Sequence, residues 1–71
     1  MKVVNICTEH ITLGQFLKYV GVVSTGGEVR SYLESFNVEV NGNIEKRRGK
    51  KLFNGDFVKI DKFNYLIKVK Q

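Results

Sequence analysis

One short run of cations contains the residues whose types and spacing are best suited to chemistry. Five of the six residues from Lys46 to Lys51 are basic, and only Gly49 interrupts them. An Asn-Gly pair precedes this basic run at 41–42, and a second pair follows it at 54–55. Two interpretations are open: a solvated charged loop that keeps a small protein in solution, or a surface that contacts phosphates.

The phosphate interpretation accounts better for the repulsion within the basic run. Like charges this close repel one another, and phosphates would offset that repulsion while releasing their counterions. Arg47 and Arg48 can make bidentate contacts with phosphate oxygens, whereas Lys50 and Lys51 act as point charges on flexible stems. Gly49 allows the backbone to turn or to approach a ligand closely. The run therefore predicts a loop that binds a polyanion.

The charge of the whole chain points to the same kind of partner. The 71 residues carry a formal net charge of +5. Acidic and basic residues cancel within 1–35, whereas 36–71 hold nine Lys or Arg against four Asp or Glu. Such an asymmetry indicates a polyanionic partner, with nucleic acid first and an anionic membrane surface second.

Length and composition predict a single compact domain over residues 1–71. Hydrophobic residues make up 42% of the chain and include five Phe and three Tyr, more core material than disordered chains contain. The first ten residues lack the pattern of a signal peptide, and no stretch approaches the roughly 18 apolar residues of a transmembrane helix. We expect a cytoplasmic monomer with no membrane role.

The sequence predicts neither catalysis nor a metal centre. Cys7 is the single cysteine, which excludes an intrachain disulfide. Cys7 and His10 have C-x-x-H spacing, but the chain offers no second pair of zinc ligands. There is no activated nucleophile, no pair of catalytic carboxylates and no complete phosphate-binding loop of the G-x-x-x-x-G-K type. We expect no enzyme activity, no metal ion and no cofactor.

A first helix is predicted ahead of the basic run, after a short edge strand at 2–6. Thr12 and Gln15 form a capping box at its start, and Gly21 can adopt the left-handed conformation that ends a helix. Its apolar face has the i, i+3, i+4, i+7 spacing of a helix and consists of Leu13, Phe16, Leu17 and Val20.

A second helix follows after about four residues, so the two helices should pack as a pair. Thr25 opens another capping box, the apolar face extends to Phe36, and Asn37 is the expected left-handed residue after the helix. Gly26 and Gly27 leave backbone N–H groups of the first turn uncovered, which favours an anion there. Simple capping and close helix packing explain the same residues and are the preferred interpretation.

The remaining segments have the alternating pattern of strands. Val38 and Val40 precede the Asn41-Gly42 turn, and 56–61 and 64–70 form a predicted hairpin. Strand, helix, helix and several short strands together predict an α+β domain, in which a helix pair packs on a small antiparallel sheet.

These motifs resemble those of a known family. V-x-V-N-G at 38–42, the basic run and G-D-x-V at 55–58 are similar to the RNA-binding domain of ribosomal protein S-four, also called the αL motif. T-L-G-x-F-L-K at 12–18 and R-R-G-x-K-L at 47–52 resemble the small stand-alone YaaA-type members more closely. The resemblance covers nearly the whole chain.

The resemblance implies a non-enzymatic protein that binds structured RNA, such as a stem-loop of ribosomal or transfer RNA, with ribosomal proteins as further partners. Phe53 is the one aromatic residue placed for stacking on a base. The aromatic residues predicted to pack in the core are Phe16, Tyr32, Phe36, Phe57 and Tyr65. The expected RNA surface consists of Lys18, Thr25, Gly26, Gly27, Arg30, Asn41, Arg47, Arg48, Lys50 and Lys51.

Alternatives stay open for the function and for single residues. A protein-interaction adaptor of a ribosomal or replication assembly would use the basic run against an acidic protein surface. A non-specific DNA-binding protein would bind DNA and RNA alike, because phosphates alone do not distinguish them. Arg30 can pair with Glu34 one helical turn later instead of binding RNA, and Asn41 is first of all a turn residue.

Overall fold

The computed structural model describes residues 1–70, which contain two helices and seven strands. In chain order they are β1 (Lys2–Ile6), β2 (His10–Thr12), α1 (Leu13–Tyr19), α2 (Gly26–Ser35), β3 (Val38–Val40), β4 (Asn43–Ile44), β5 (Lys51–Phe53), β6 (Phe57–Ile60) and β7 (Phe63–Val69). The predicted α+β class is confirmed.

Both helices begin at the threonines that the sequence predicts. At α1, Thr12 Oγ1 accepts the N–H of Gln15 at 3.2 Å, and Gln15 Oε1 accepts the N–H of Thr12 at 3.0 Å. At α2, Thr25 Oγ1 accepts the N–H of Glu28 at 3.3 Å. The Glu28 carboxylate turns back and accepts from the Ser24 N–H and the Thr25 hydroxyl, both at 3.3 Å. The caps therefore fix where each helix starts.

The two helices end in different ways. Gly21 follows α1 with a φ of 84°, the left-handed conformation that was predicted. The prediction of a left-handed Asn37 after α2 is wrong, because Phe36 leaves the helix in an extended conformation with φ −125° and ψ 148°. Among non-glycine residues of 1–70, positive φ values occur at Asn41 and Asp61. The extended exit leads directly into β3.

Phe36 also departs from its predicted place in the core. Its side chain is more than half exposed, and its ring stacks on Tyr32 with centroids 4.7 Å apart. The helical apolar face that begins with Val29 therefore reaches the core only as far as Leu33.

The main sheet is mixed, whereas the prediction was an antiparallel one. Its strand order is β1-β7-β6-β3-β4, and the pairs from β7 to β4 are antiparallel. β1 lies at an edge and runs parallel to β7, with Lys2 opposite Tyr65 and Ile6 opposite Val69. The alternation of side chains identifies a strand but carries no information on the direction of its partner. This is the physical reason for the difference.

A separate pair of strands brings α1 to the basic run. β2 and β5 are antiparallel, with Thr12 opposite Lys51. Because β2 leads directly into α1 and β5 directly follows the basic run, this pairing places the start of the helix beside the end of the run.

The core lies between the helix pair and the sheet. Phe16 of α1 and Tyr65 of β7 meet edge to face, with ring centroids 5.3 Å apart. Leu17, Val58 and Ile67 are fully buried in the same cluster. The core therefore fixes α1 and α2 relative to the strands that carry the basic run.

Candidate nucleic-acid interface

The two Asn-Gly turns that flank the basic run are connected by hydrogen bonds. Asn41 and Gly42 have φ values of 52° and 86°, as a type I′ hairpin turn requires. Asn41 Nδ2 donates to Asp56 Oδ1 at 3.1 Å, and Asn41 Oδ1 accepts the N–H of Phe57 at 2.9 Å. Asp56 Oδ2 also accepts the N–H of Phe53 at 2.7 Å. These bonds hold together the two turns between which the basic run lies.

The backbone of the basic run is bonded to the start of α1. The N–H of Leu13 donates to the carbonyl of Lys50 at 2.8 Å, and the N–H of Gly14 to that of Arg48 at 2.9 Å. A helix leaves these first N–H groups without partners of its own. A Cβ on Gly14 would lie 3.4 Å from the Arg48 carbonyl oxygen and 3.4 Å from a Val29 methyl carbon. A side chain at this position would be in van der Waals contact with both groups, so Gly14 marks where the run, α1 and α2 lie close together.

Lys46 attaches the run to the end of α2. Its Nζ donates to the carbonyl oxygens of Leu33 at 2.6 Å and Phe36 at 3.1 Å, and to Asn37 Oδ1 at 3.5 Å. The last carbonyls of a helix lack partners inside it, and a cation is favourable at the negative end of the helix dipole. The first cation of the run thus stabilises a helix end that has no left-handed residue.

Arg47 is paired with Glu45. Arg47 Nε donates to Glu45 Oε2 at 2.9 Å and Nη2 donates to Oε1 at 3.1 Å, while the Arg47 N–H donates to Oε2 at 3.0 Å. Hydrogen bonds from the Arg47 side chain lower the pKa of Glu45 from 4.5 to about 2. The carboxylate is largely covered, since 13% of the Glu45 side chain is exposed against 76% of the Arg47 side chain.

Arg48 lies between two open clefts. One cleft, of about 220 Å³, brings Lys18 of α1 and Gly26 of α2 beside Arg48. The other, of about 330 Å³, brings Arg30 of α2 and Lys46 to Arg48. Arg48 therefore shares one cleft with a cation of α1 and the other with a cation of α2 and with Lys46 of its own run. We call this set of residues, Lys18, Gly26, Arg30, Lys46 and Arg48, the Arg48 surface.

Several residues that line the two clefts were not predicted from the sequence to bind RNA. Thr12 and Gln15 were recognised only as a helix cap, but they also line the first cleft. A glycine in the first turn of a helix was the available signal for Gly14. The other lining residues that the predicted RNA surface did not include are Val29, Leu33, Lys46 and Gly49.

Arg30 makes the ion pair that was the alternative to RNA binding. Its Nε lies 3.2 Å from Glu34 Oε1, and the two side chains are 82% and 67% exposed. An exposed pair of this kind contributes only about 0.3–0.5 kcal/mol. The pair therefore leaves Arg30 accessible in the second cleft.

The remaining predicted RNA-binding residues do not line either cleft of the Arg48 surface. The Asn41 carboxamide is engaged in the turn, and the Glu28 carboxylate adds negative charge beside Thr25. Lys51 is exposed on β5. The predicted residues outside the clefts are Thr25, Gly27, Asn41, Arg47, Lys50 and Lys51. RNA binding stays a prediction for them and for the four predicted residues that line the clefts.

Other candidate features lie away from the clefts. Phe53 is exposed, and its ring lies 5.6 Å from that of His10, so its stacking on a base stays a prediction. Cys7 is exposed and free. Within residues 1–70, no three His, Cys, Asp or Glu side chains cluster so as to hold a metal ion. None of the helices in that range is long and apolar enough to cross a membrane.

Comparison with known proteins identifies relatives of this arrangement. Residues 4–68 match the S4 domain family. Among curated proteins, the chain is 47% identical over 60 residues to the probable ribosome maturation protein RlbA of Bacillus subtilis (strain 168), and the match covers 84% of each chain. The span 4–68 includes both helices, the basic run and the whole Arg48 surface.

Proposed function

This chain belongs to the S4 domain family, and from that premise we propose that it is a non-enzymatic protein that binds structured RNA. Its ligand is a stem-loop or a helix junction of ribosomal or transfer RNA. The similarity to a probable ribosome maturation protein favours a ribosomal RNA, with ribosomal proteins as neighbours in the same assembly. The cytoplasmic location and the monomeric state stay predictions.

The observation that carries this proposal is the position of Arg48 between two clefts. Lys18 of α1 shares one cleft with Arg48, and Arg30 of α2 shares the other. An A-form helix hides its base edges in a deep groove, so proteins recognise it through its shape and the spacing of its phosphates. Cations fixed on two helices and on a loop bonded to both provide such a shape-dependent contact.

The chemistry of the clefts favours binding over catalysis. Their lining residues carry guanidinium, ammonium, hydroxyl, amide and aliphatic groups. The lining includes neither a carboxylate nor an imidazole nor a thiol, which are the usual general bases and nucleophiles. Guanidinium groups are well suited to bidentate contact with phosphate oxygens.

A fluorescence-anisotropy titration at two salt concentrations tests the proposal. The ligands are a structured ribosomal stem-loop, the corresponding DNA duplex and a single strand. Arg48→Ala should lower stem-loop affinity and reduce the salt slope by about one unit. Lys62→Ala is the matched control, because it removes one exposed cation outside both clefts.

Each outcome of the titration has a definite meaning. Tighter binding of the stem-loop, with a loss in Arg48→Ala and none in Lys62→Ala, supports RNA recognition by the Arg48 surface. Equal affinity for DNA and RNA would indicate a protein that reads phosphates alone. Weak binding of all three ligands, unchanged in Arg48→Ala, would contradict the proposal and favour a protein partner.

A further inference from the structure

We propose that Glu45 withholds Arg47 from RNA and so limits the binding of polyanions that do not fit the Arg48 surface. This inference rests on the proposed function, because it concerns which cations of the basic run reach the ligand. It assigns to Glu45 a role in selectivity, although its side chain carries the same sign of charge as the ligand.

The geometry of the pair supports this role. The side-on edge of the Arg47 guanidinium, Nε and Nη2, is occupied by both oxygens of the Glu45 carboxylate at 2.9 and 3.1 Å. The same fork is what an arginine offers to a phosphate in a bidentate contact. A phosphate that approaches from the other edge of the guanidinium meets an ion pair whose charges cancel.

Glu45 is held in place more firmly than its partner. Its backbone N–H donates to the carbonyl of Val38 on β3 at 2.8 Å, and its carboxylate also accepts the backbone N–H of Arg47 at 3.0 Å. Most of the Glu45 side chain is covered, whereas most of the Arg47 side chain is exposed. The carboxylate is thus a largely covered site at which the exposed guanidinium is held.

The second ion pair in residues 1–70, between Arg30 and Glu34, restrains its arginine less. Arg30 and Glu34 share one contact at 3.2 Å, and both side chains are largely exposed. Arg47 and Glu45 share two side-chain hydrogen bonds and a backbone one, with one partner mostly covered. Arg30 is therefore available to a ligand at little cost, whereas Arg47 is not.

Withholding one cation affects matched and unmatched ligands differently. Binding of polyanions without shape recognition depends almost entirely on the number of cations that release counterions. A structured RNA that fits the Arg48 surface gains from position as well as from charge. Neutralising Glu45 should therefore increase the affinity for duplex DNA and single strands more than the affinity for the stem-loop.

The experiment compares Glu45→Gln, Arg47→Ala and the double variant with the wild-type chain. Glu45→Gln keeps the size and an acceptor oxygen but removes the charge. Asp61→Asn is the matched control, because it makes the same charge change at an exposed turn residue and Asn tolerates the positive φ found there. Circular dichroism confirms that each variant is folded before titration.

The expected result is a gain of function. Glu45→Gln should bind duplex DNA and single strands about fivefold more tightly near 0.1 M salt, with a salt slope steeper by about one unit. Arg47→Ala alone should change the affinity less than twofold, and in the Glu45→Gln background it should abolish the gain. Asp61→Asn should leave both quantities close to wild type.

Two results would overturn the inference. One is an unchanged or weaker affinity in Glu45→Gln, and the other is a loss in Arg47→Ala as large as that in Arg48→Ala. Failure of the proposed function can be told apart from failure of this inference. In that case the wild-type chain itself would bind the stem-loop no more tightly than the other ligands. In that case the comparison of Glu45→Gln with wild type on duplex DNA still decides the role of Glu45.

Discussion

The first two and the last three cations of the basic run differ in what their side chains contact. Lys46 donates to the end of α2, and Arg47 is held by Glu45. Arg48, Lys50 and Lys51 take part in neither of the two ion pairs of residues 1–70, and Arg48 lines both clefts. Neighbouring residues of one charge type thus differ: the first two are bonded to groups of the protein, whereas the last three take part in neither ion pair.

This difference changes how the density of charge is explained. From the sequence alone, the mutual repulsion of the cations indicates phosphates as the groups that offset it. In the structure, part of that compensation comes from the Glu45 carboxylate and from the carbonyls of Leu33 and Phe36. A run of like charges is therefore not one functional unit, and each cation has to be assigned by its own contacts.

The largest expected effect comes from reversing the charge of Arg48. Arg48→Glu should lower the affinity for the stem-loop by about ten- to thirtyfold, about 1.4–2 kcal/mol, because it removes one phosphate contact and adds repulsion. The urea midpoint of unfolding should stay unchanged, since the side chain is exposed. Lys62→Glu is the matched control in anisotropy titrations. Equal losses in both variants would remove the distinction between Arg48 and any other surface cation.

Lys46 should affect folding more than binding. Lys46→Met keeps an apolar stem of similar length but removes the ammonium group from the α2 carbonyls. We expect a loss of about 1–2 kcal/mol in the free energy of unfolding, measured by urea denaturation. Lys59→Met, at an exposed position of β6, should cost much less. If Lys46→Met were as stable as wild type but bound RNA more weakly, Lys46 would have to be grouped with Arg48, Lys50 and Lys51.

The Glu45–Arg47 pair should make the free energy of unfolding depend on pH in the acidic range. The pKa of Glu45 lies at about 2 in the folded protein, below its usual 4.5. Its stabilising contribution is therefore complete above about pH 4.5 and is lost as the pH falls towards about 2. Urea denaturation of wild type and Glu45→Gln over this range should show a difference that shrinks with falling pH. A difference independent of pH would show that the carboxylate gains nothing from Arg47 on folding.

The smallest effect is expected at the exposed pair on α2. Glu34→Gln removes the partner of Arg30 and should lower the free energy of unfolding by about 0.3–0.5 kcal/mol. Stem-loop affinity should rise less than twofold, because Arg30 is accessible already. The same urea-denaturation and anisotropy measurements as for Glu45→Gln make the two carboxylates directly comparable. If Glu34→Gln raised the affinity more than Glu45→Gln does, Glu34 rather than Glu45 would be the carboxylate that withholds an arginine.

Local features of the fold could be predicted because their causes lie within a few residues. The caps at Thr12 and Thr25, the left-handed Gly21 and the Asn41-Gly42 turn each depend on neighbouring backbone groups. The exit of α2 could not be predicted in this way. Its carbonyls are satisfied by Lys46, which lies 13 positions after Leu33, so a left-handed Asn37 was not required.

The candidate site was predictable in part for the same reason. Resemblance to a family indicated Lys18 and Arg30, and the charge run indicated Arg48, but their convergence depends on how the core places both helices. The inward contacts of Arg47 were harder to predict. Glu45 precedes it by two positions, and alternate residues of an extended chain face the same side, so the sequence did hold a local signal for this pair.

The parallel pairing of β1 with β7 has a consequence for the order of folding. Lys2 lies opposite Tyr65 and Ile6 opposite Val69, so the first strand finds its partner only after nearly the whole described chain is present. Closing so long a loop is entropically unfavourable and slows such contacts relative to local ones. During synthesis, the helix pair can form while β1 still has no partner. The edge of the sheet is then expected to be completed last, after the two helices and the basic run are in place.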